Sequence, residues 1–201
     1  MAGDRSAVLL DWGGVMTTSL FDSFAAFCTS EGLDAGALRD LFRGDRAARA
    51  LLVDFECGRI EEPEFEPQLA VALGLADHAG LVDRIFAGSR PDAEMVGGVR
   101  ALHERGVRTA LVSNSWGTRR YPRELIAELF DGVVISGEEG FRKPDPRMYE
   151  LGASRIGAAP SECVFVDDLA FNLDPARELG MAVVHHTAAD STLAELDELL
   201  G

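Results

Sequence analysis

Two aspartates stand side by side at Asp167-Asp168, closing the apolar run Cys163-Val164-Phe165-Val166, and a third, Asp11, closes the run Ala7-Val8-Leu9-Leu10. Neighbouring anions repel. Three of them brought together are costly unless a divalent cation is shared among them. A hard site made only of oxygen donors points to Mg2+. Asp11 is followed by Trp12-Gly13-Gly14, and two glycines let the backbone turn sharply and approach a ligand closely. The same residues also suit an ordinary turn, so the motif needs company.

Company comes from Ser113-Asn114, which follows the apolar run Val107 to Val112. A hydroxyl, an amide and backbone N–H groups hold phosphate oxygens without adding a competing nucleophile. Serine and asparagine equally serve as loop or cap residues. Lys143 lies in Phe141-Arg142-Lys143-Pro144-Asp145-Pro146, where two prolines stiffen the approach to the following segment. A cation mounted there offsets the repulsion between a carboxylate nucleophile and a phosphate dianion.

The elements that must position these groups are short. Residues 7–12, 107–113, 132–136, 163–168 and 181–186 have the length and β-branched content of buried strands. Helical segments are expected at Asp92 to Arg105, Tyr121 to Phe130, Pro146 to Ile156 and Ala170 to Leu179, with a closing helix from Thr192 to Leu200 capped by Ser191. This alternation predicts a Rossmann-like α/β fold, a parallel sheet with helices on its faces. Residues 19–89 read instead as successive helices, so the expected organisation is a core of 1–18 and 90–201 with an all-helical domain of 19–89 inserted above the strand ends, where open α/β sheets bind ligands.

The order Asp11, Ser113, Lys143, Asp167-Asp168 on successive strand ends resembles the haloacid dehalogenase-like (HAD) hydrolase superfamily over nearly the whole chain. The insertion is similar to the helical cap of its first subfamily. The wording DWGGV, SNS, RKPDP and VFVDDLAFN is similar to the phosphatase branch that includes the N-terminal domain of soluble epoxide hydrolase and bacterial sugar-phosphate phosphatases. The resemblance implies that Asp11 attacks phosphorus, and that Asp11, Asp168 and the main-chain oxygen of Gly13 bind Mg2+. It further implies that Asp167 orients a water on the metal and Asn172 braces the site, while Ser113, Asn114 and Lys143 hold the phosphoryl group of a small phosphorylated metabolite.

One position departs from that pattern. Where most phosphatases of the superfamily carry an acid–base aspartate, two residues after the nucleophile, this chain has Gly13. Losing such a group commonly costs about 10² to 10⁴ in rate. Slow turnover suited to good leaving groups such as sugar 1-phosphates, dehalogenation of a 2-haloacid, and a phospho-ligand binding or regulatory role are the three readings this leaves.

Within the insertion, Phe21, Phe24 and Phe55 are candidates for substrate contact as well as for packing, and Arg43, Arg46 and Arg49 recur at a spacing that puts them near one helical face. Trp12 and Trp116 are placed to border a site mouth. The four histidines show no ligand spacing. A net charge of −15 without a basic stripe argues against nucleic acid or an anionic membrane as partner. No run approaches the roughly 18 apolar residues of a membrane span. The beginning MAGDRSAVLLDWGG lacks the features of a signal peptide, so a cytoplasmic protein with Cys28, Cys57 and Cys163 reduced is expected. The oligomeric state is not legible.

Overall fold

The apolar runs become five strands: β1 (Ala7–Leu10), β2 (Arg108–Ser113), β3 (Gly132–Ile135), β4 (Cys163–Asp167) and β5 (Ala182–His185). A computed structural model describes residues 5–201. Residues 1–4, which open the first core segment and the stretch read for a leader, lie outside the described residues. All pairings are parallel, in the order β3-β2-β1-β4-β5.

Side chains alternate across β1 and so feed two cores. Val8 and Leu10 join Leu111 and Val166 beneath α6 (Ala93–Glu104), α7 (Arg123–Leu129) and α11 (Ala189–Leu200), which contribute Met95, Val99, Ile126 and Leu196. Ala7 and Leu9 join Val112 and Phe165 under α9 (Pro146–Arg155) and α10 (Ala170–Glu178), which contribute Met148, Tyr149 and Leu173. With both faces covered, central strands must be apolar throughout, and all four β1 residues have no exposed surface. Each large side chain so buried stabilises the fold by about 1.5–3 kcal/mol. Helix α9 packs close to the sheet at Gly152, where a Cβ would stand 2.6 Å from Val112 Cγ2.

Between β1 and β2 lie α1 (Leu20–Ser30), α2 (Ala37–Gly44), α3 (Arg46–Glu56), α4 (Glu62–Leu73) and α5 (Leu81–Phe86). They enclose an apolar cluster of their own, built around Phe27, Leu38, Phe55, Phe65, Leu69 and Ile85. The chain enters and leaves this unit through two paired segments: Thr17 bridges Pro91 antiparallel, Thr18 N donates to Arg90 O at 2.9 Å, and Asp92 N donates to Met16 O at 2.9 Å. Ser19 caps α1 through Asp22 N, and Gly74 closes α4 with φ of 73°.

Three expectations need correction. The closing helix starts at Ala189, so Ser191 sits inside its first turn, with its hydroxyl donating to Ala188 O, and is not the cap. Arg43 and Arg46 belong to different helices, because Asp45 accepts from Ala47 N and Ala48 N and starts α3 anew. Arg43, Arg46 and Arg49 therefore share no single helical face. A short helix, α8 (Ser136–Glu139), follows β3 without having been foreseen. No helix among the described residues is long and apolar enough to cross a membrane, and all three cysteines are free and buried.

Candidate active site

Because the strands are parallel, their C-terminal ends share one edge. Leu10 pairs with Val166 in register, which sets Asp11 beside Asp167, and Asp11 N donates to Val166 O at 3.0 Å. Lys143 arrives from the loop before α9 with a fully buried side chain. Its Nζ lies 2.9 Å from Asp11 Oδ1 and 2.6 Å from Asp167 Oδ2. Burial alone would weaken its ammonium, but Asp11 and Asp167 outweigh that and raise its pKa, so the site holds a firm positive charge.

Asp167 is occupied by the protein itself. Its oxygens accept from Lys143 Nζ, from Leu169 N at 2.8 Å and from Asn172 Nδ2 at 3.0 and 3.1 Å. Asp168 differs: its Oδ1 is buried and has no hydrogen-bond partner. Ligand oxygens of Asp11, Asp167 and Asp168 all come within 4.8 Å of one another. Burial above all, and then the neighbouring carboxylates, push Asp168 up to about 7. Asp11 rises to about 6, mainly through burial, against the pull of Lys143. One ammonium facing three carboxylates leaves uncompensated negative charge, and the orphaned Asp168 oxygen faces no donor. The donor set fits a hard divalent cation.

The glycines after Asp11 are constrained by this cluster. Gly14 has φ of 77°, and a Cβ there would lie 2.5 Å from Asp168 Oδ2. Gly13 is different, since a Cβ on it would meet Leu20 Cδ1 at 2.5 Å. Leu20, the first residue of α1, fills the space an acid–base side chain at position 13 would cross. Thr17 Oγ1 accepts from Gly14 N and donates to Thr18 O, which fixes the turn.

Ser113 ends β2, and its Oγ accepts from Tyr121 OH at 2.8 Å. Burial pushes the Tyr121 phenol well above its ordinary range, so it stays a donor. Asn114 has its side-chain amide elsewhere than expected: Nδ2 donates to Lys143 O at 3.1 Å and Oδ1 accepts from Lys143 N at 2.8 Å. The amide that read as a phosphate contact grips the lysine backbone.

Sequence reasoning missed a buried carboxylate of the insertion that feels the charges of Asp11 and Lys143. Glu56, at the end of α3, is buried against Arg142, whose guanidinium lies 2.6 Å from Oε2. Burial pushes Glu56 up to about 7, partly offset by Arg142. Its main-chain oxygen accepts from Ser136 Oγ and Ser115 Oγ, tying the insertion to the ends of β2 and β3. Arg120 pairs with Glu62 and Asp83, and Arg119 does the same. Trp116 packs among Phe24, Phe42, Phe65 and Phe86 of the insertion. Neither Arg43, Arg46 nor Arg49 lines the cavity that opens beside Gly13 and Ser113; Arg90, Arg119 and Arg120 do. An arginine pair six and seven residues past the end of β2 was a visible signal, but its acidic partners lie 36 or more positions away.

A parallel five-stranded sheet with acidic strand ends, a buried lysine and a helical insertion after the first strand defines a class, and comparison with known proteins supplies it. Residues 6–180 match the haloacid dehalogenase-like hydrolase family, and the chain belongs to that family of enzymes. It is 35% identical over 152 residues to the sesquiterpene phosphatase astK of Aspergillus oryzae, covering 73% of this chain and 78% of that protein. It is 31% identical over 128 residues to bifunctional epoxide hydrolase 2 of Sus scrofa, covering 60% of this chain but only 23% of that longer protein. A HAD family enzyme from Bacteroides thetaiotaomicron, solved in complex with magnesium and inorganic phosphate, superimposes with a TM-score of 0.67 at 20% identity, over 92% of this chain and 95% of that one.

Proposed function

We propose that this protein is a magnesium-dependent phosphomonoesterase acting on a small phosphorylated metabolite, with Asp11 as nucleophile. The observation that carries the reading is the contact of Lys143 Nζ with Asp11 Oδ1 inside a three-carboxylate cluster whose Asp168 oxygen is unpartnered. The free Asp11 oxygen attacks phosphorus, the bond from phosphorus to the leaving oxygen breaks, and an aspartyl-phosphate forms. Water then attacks that phosphorus and releases inorganic phosphate, restoring Asp11.

Lys143 neutralises the incoming dianion and keeps Asp11 ionised. Ser113 Oγ, held by Tyr121, and the backbone N–H groups around Asn114 receive the phosphoryl oxygens. Asp11, Asp168 and the carbonyl of Gly13 would hold Mg2+, which supplies charge neutralisation and in-line positioning. Asp167, saturated by Lys143, Leu169 and Asn172, acts by orienting Lys143. Residues 19–89 act as a cap over the core of 1–18 and 90–201, excluding water from the site. The phosphatase names and the magnesium and phosphate complex among similar proteins support this reading. The acidic cluster argues against 2-haloacid dehalogenation, in which an aspartate displaces halide without a metal.

The test is phosphate release from p-nitrophenyl phosphate with Mg2+ and with EDTA. Turnover that EDTA removes and Mg2+ restores is expected. Release that is indifferent to EDTA contradicts the metal assignment, and no release in either condition contradicts the phosphatase.

A further inference from the structure

The cavity beside Gly13, Ser113 and Asn114 has a volume of about 460 Å3, within the range of small-molecule sites. Its wall presents Trp12, Leu20, Phe86, Pro91, Trp116 and Tyr121. The polar groups interleaved with these side chains are already paired with the protein. Tyr121 OH donates to Ser113, and the Asn114 amide is on the Lys143 backbone. Thr17 Oγ1 bonds Gly14 N and Thr18 O. Arg119 and Arg120 face Asp83 and Glu62.

We infer that the site takes phosphate esters with an apolar body and discriminates against sugar phosphates and other polyols, an inference that rests on the phosphomonoesterase reading above. Among the described residues, the hydroxyl, amide and guanidinium groups in the wall without a hydrogen-bond partner are those of Ser89 and the exposed Arg90. A polyol seated here would bury hydroxyls with almost no partners, which costs their full desolvation. An apolar body loses nothing of that kind and removes aromatic and aliphatic wall from water. The phosphate itself is served at the end of β2, where Ser113 and Asn114 line the cavity.

Chain length can be varied apart from leaving-group chemistry with 4-alkylphenyl phosphates, whose phenols differ little in acidity. From 4-methyl to 4-butyl, KM is expected to fall by about fourfold for each methylene buried, with kcat unchanged. A hydroxyl at the end of the same tail is expected to raise KM again. A KM indifferent to tail length, or lowered by the hydroxyl, overturns the inference while leaving the phosphatase standing. Should no ester be turned over, the phosphatase reading fails and binding decides the inference alone. The chain's two tryptophans both line the cavity, so their fluorescence reports titration with n-alkyl phosphonates of increasing length. Affinity rising with length upholds the apolar site, and affinity independent of length overturns it.

Discussion

Asn114 holds both backbone polar groups of Lys143, donating to its carbonyl at 3.1 Å and accepting from its N–H at 2.8 Å. The ends of β2 and of the loop before α9 are thereby fixed to each other, and the ammonium is aimed between Asp11 and Asp167. Asn114→Ala removes both bonds and leaves the Lys143 N–H unsatisfied, while its carbonyl keeps the Arg142 guanidinium at 3.0 Å. Stability should fall by about 1–3 kcal/mol in urea titration, and kcat by about 10²-fold, the effect of displacing a catalytic group by roughly an ångström. A kcat within a factor of two of the parent would show that Lys143 does not need the clamp.

The proposed metal site links binding to pH through Asp11 and Asp168, whose pKa values in the folded chain without metal are pushed up from 3.8 to about 6 and about 7. For groups raised on folding, their contribution to stability is fully present below the unfolded value near 3.8 and is lost as pH rises through the folded values. Without a cation the protein should therefore become less stable between about pH 4 and pH 7. A divalent cation offsets the repulsion only once the carboxylates ionise. The rise in Tm produced by Mg2+ should be small at pH 5 and large at pH 8 in thermal melts, whereas an equal rise at both would place the cation elsewhere.

On the proposed mechanism, Gly13 should set the leaving group the enzyme tolerates. Leu20 Cδ1 would lie 2.5 Å from a Cβ at this position, so Gly13→Asp alone must displace the tip of that side chain. Gly13→Asp combined with Leu20→Ala opens the space. If proton transfer limits turnover, kcat for alkyl phosphates should rise by about 10²-fold in the double variant and by less in the single one. Rates for p-nitrophenyl phosphate, whose phenolate leaves unprotonated, should hardly change. A plot of kcat against leaving-group pKa for parent and variants measures this, and identical slopes would locate the rate limit outside protonation.

Much of the core was legible because its signal is local. A strand buried on both faces must be apolar, and in a parallel sheet the residues just past such runs share one edge. Asp11, Ser113 and Asp167-Asp168 could thus be brought together on paper. What was not legible depends on partners distant in the chain. Asn114 reads as a phosphate ligand until Lys143, 29 positions away, occupies its amide. Glu56 carries no local signal of its role, because Arg142, which pairs with its carboxylate, and the Ser115 and Ser136 hydroxyls, which bond its main-chain oxygen, are distant in the chain. Leu20 gives no hint that it fills the space beside Gly13. The division of the 43–49 arginines was legible in principle, since Asp45 is a good N-cap residue inside a helical run.

The central claim is that Asp11 is the nucleophile, and Asp11→Asn tests it most directly, being nearly isosteric. The measurement is Mg2+-dependent phosphate release from p-nitrophenyl phosphate by parent and variant, with near-UV circular dichroism to verify the fold. Loss of turnover by more than about 10³-fold in a natively folded variant is the expected result. A folded variant that keeps its activity within tenfold of the parent contradicts the claim.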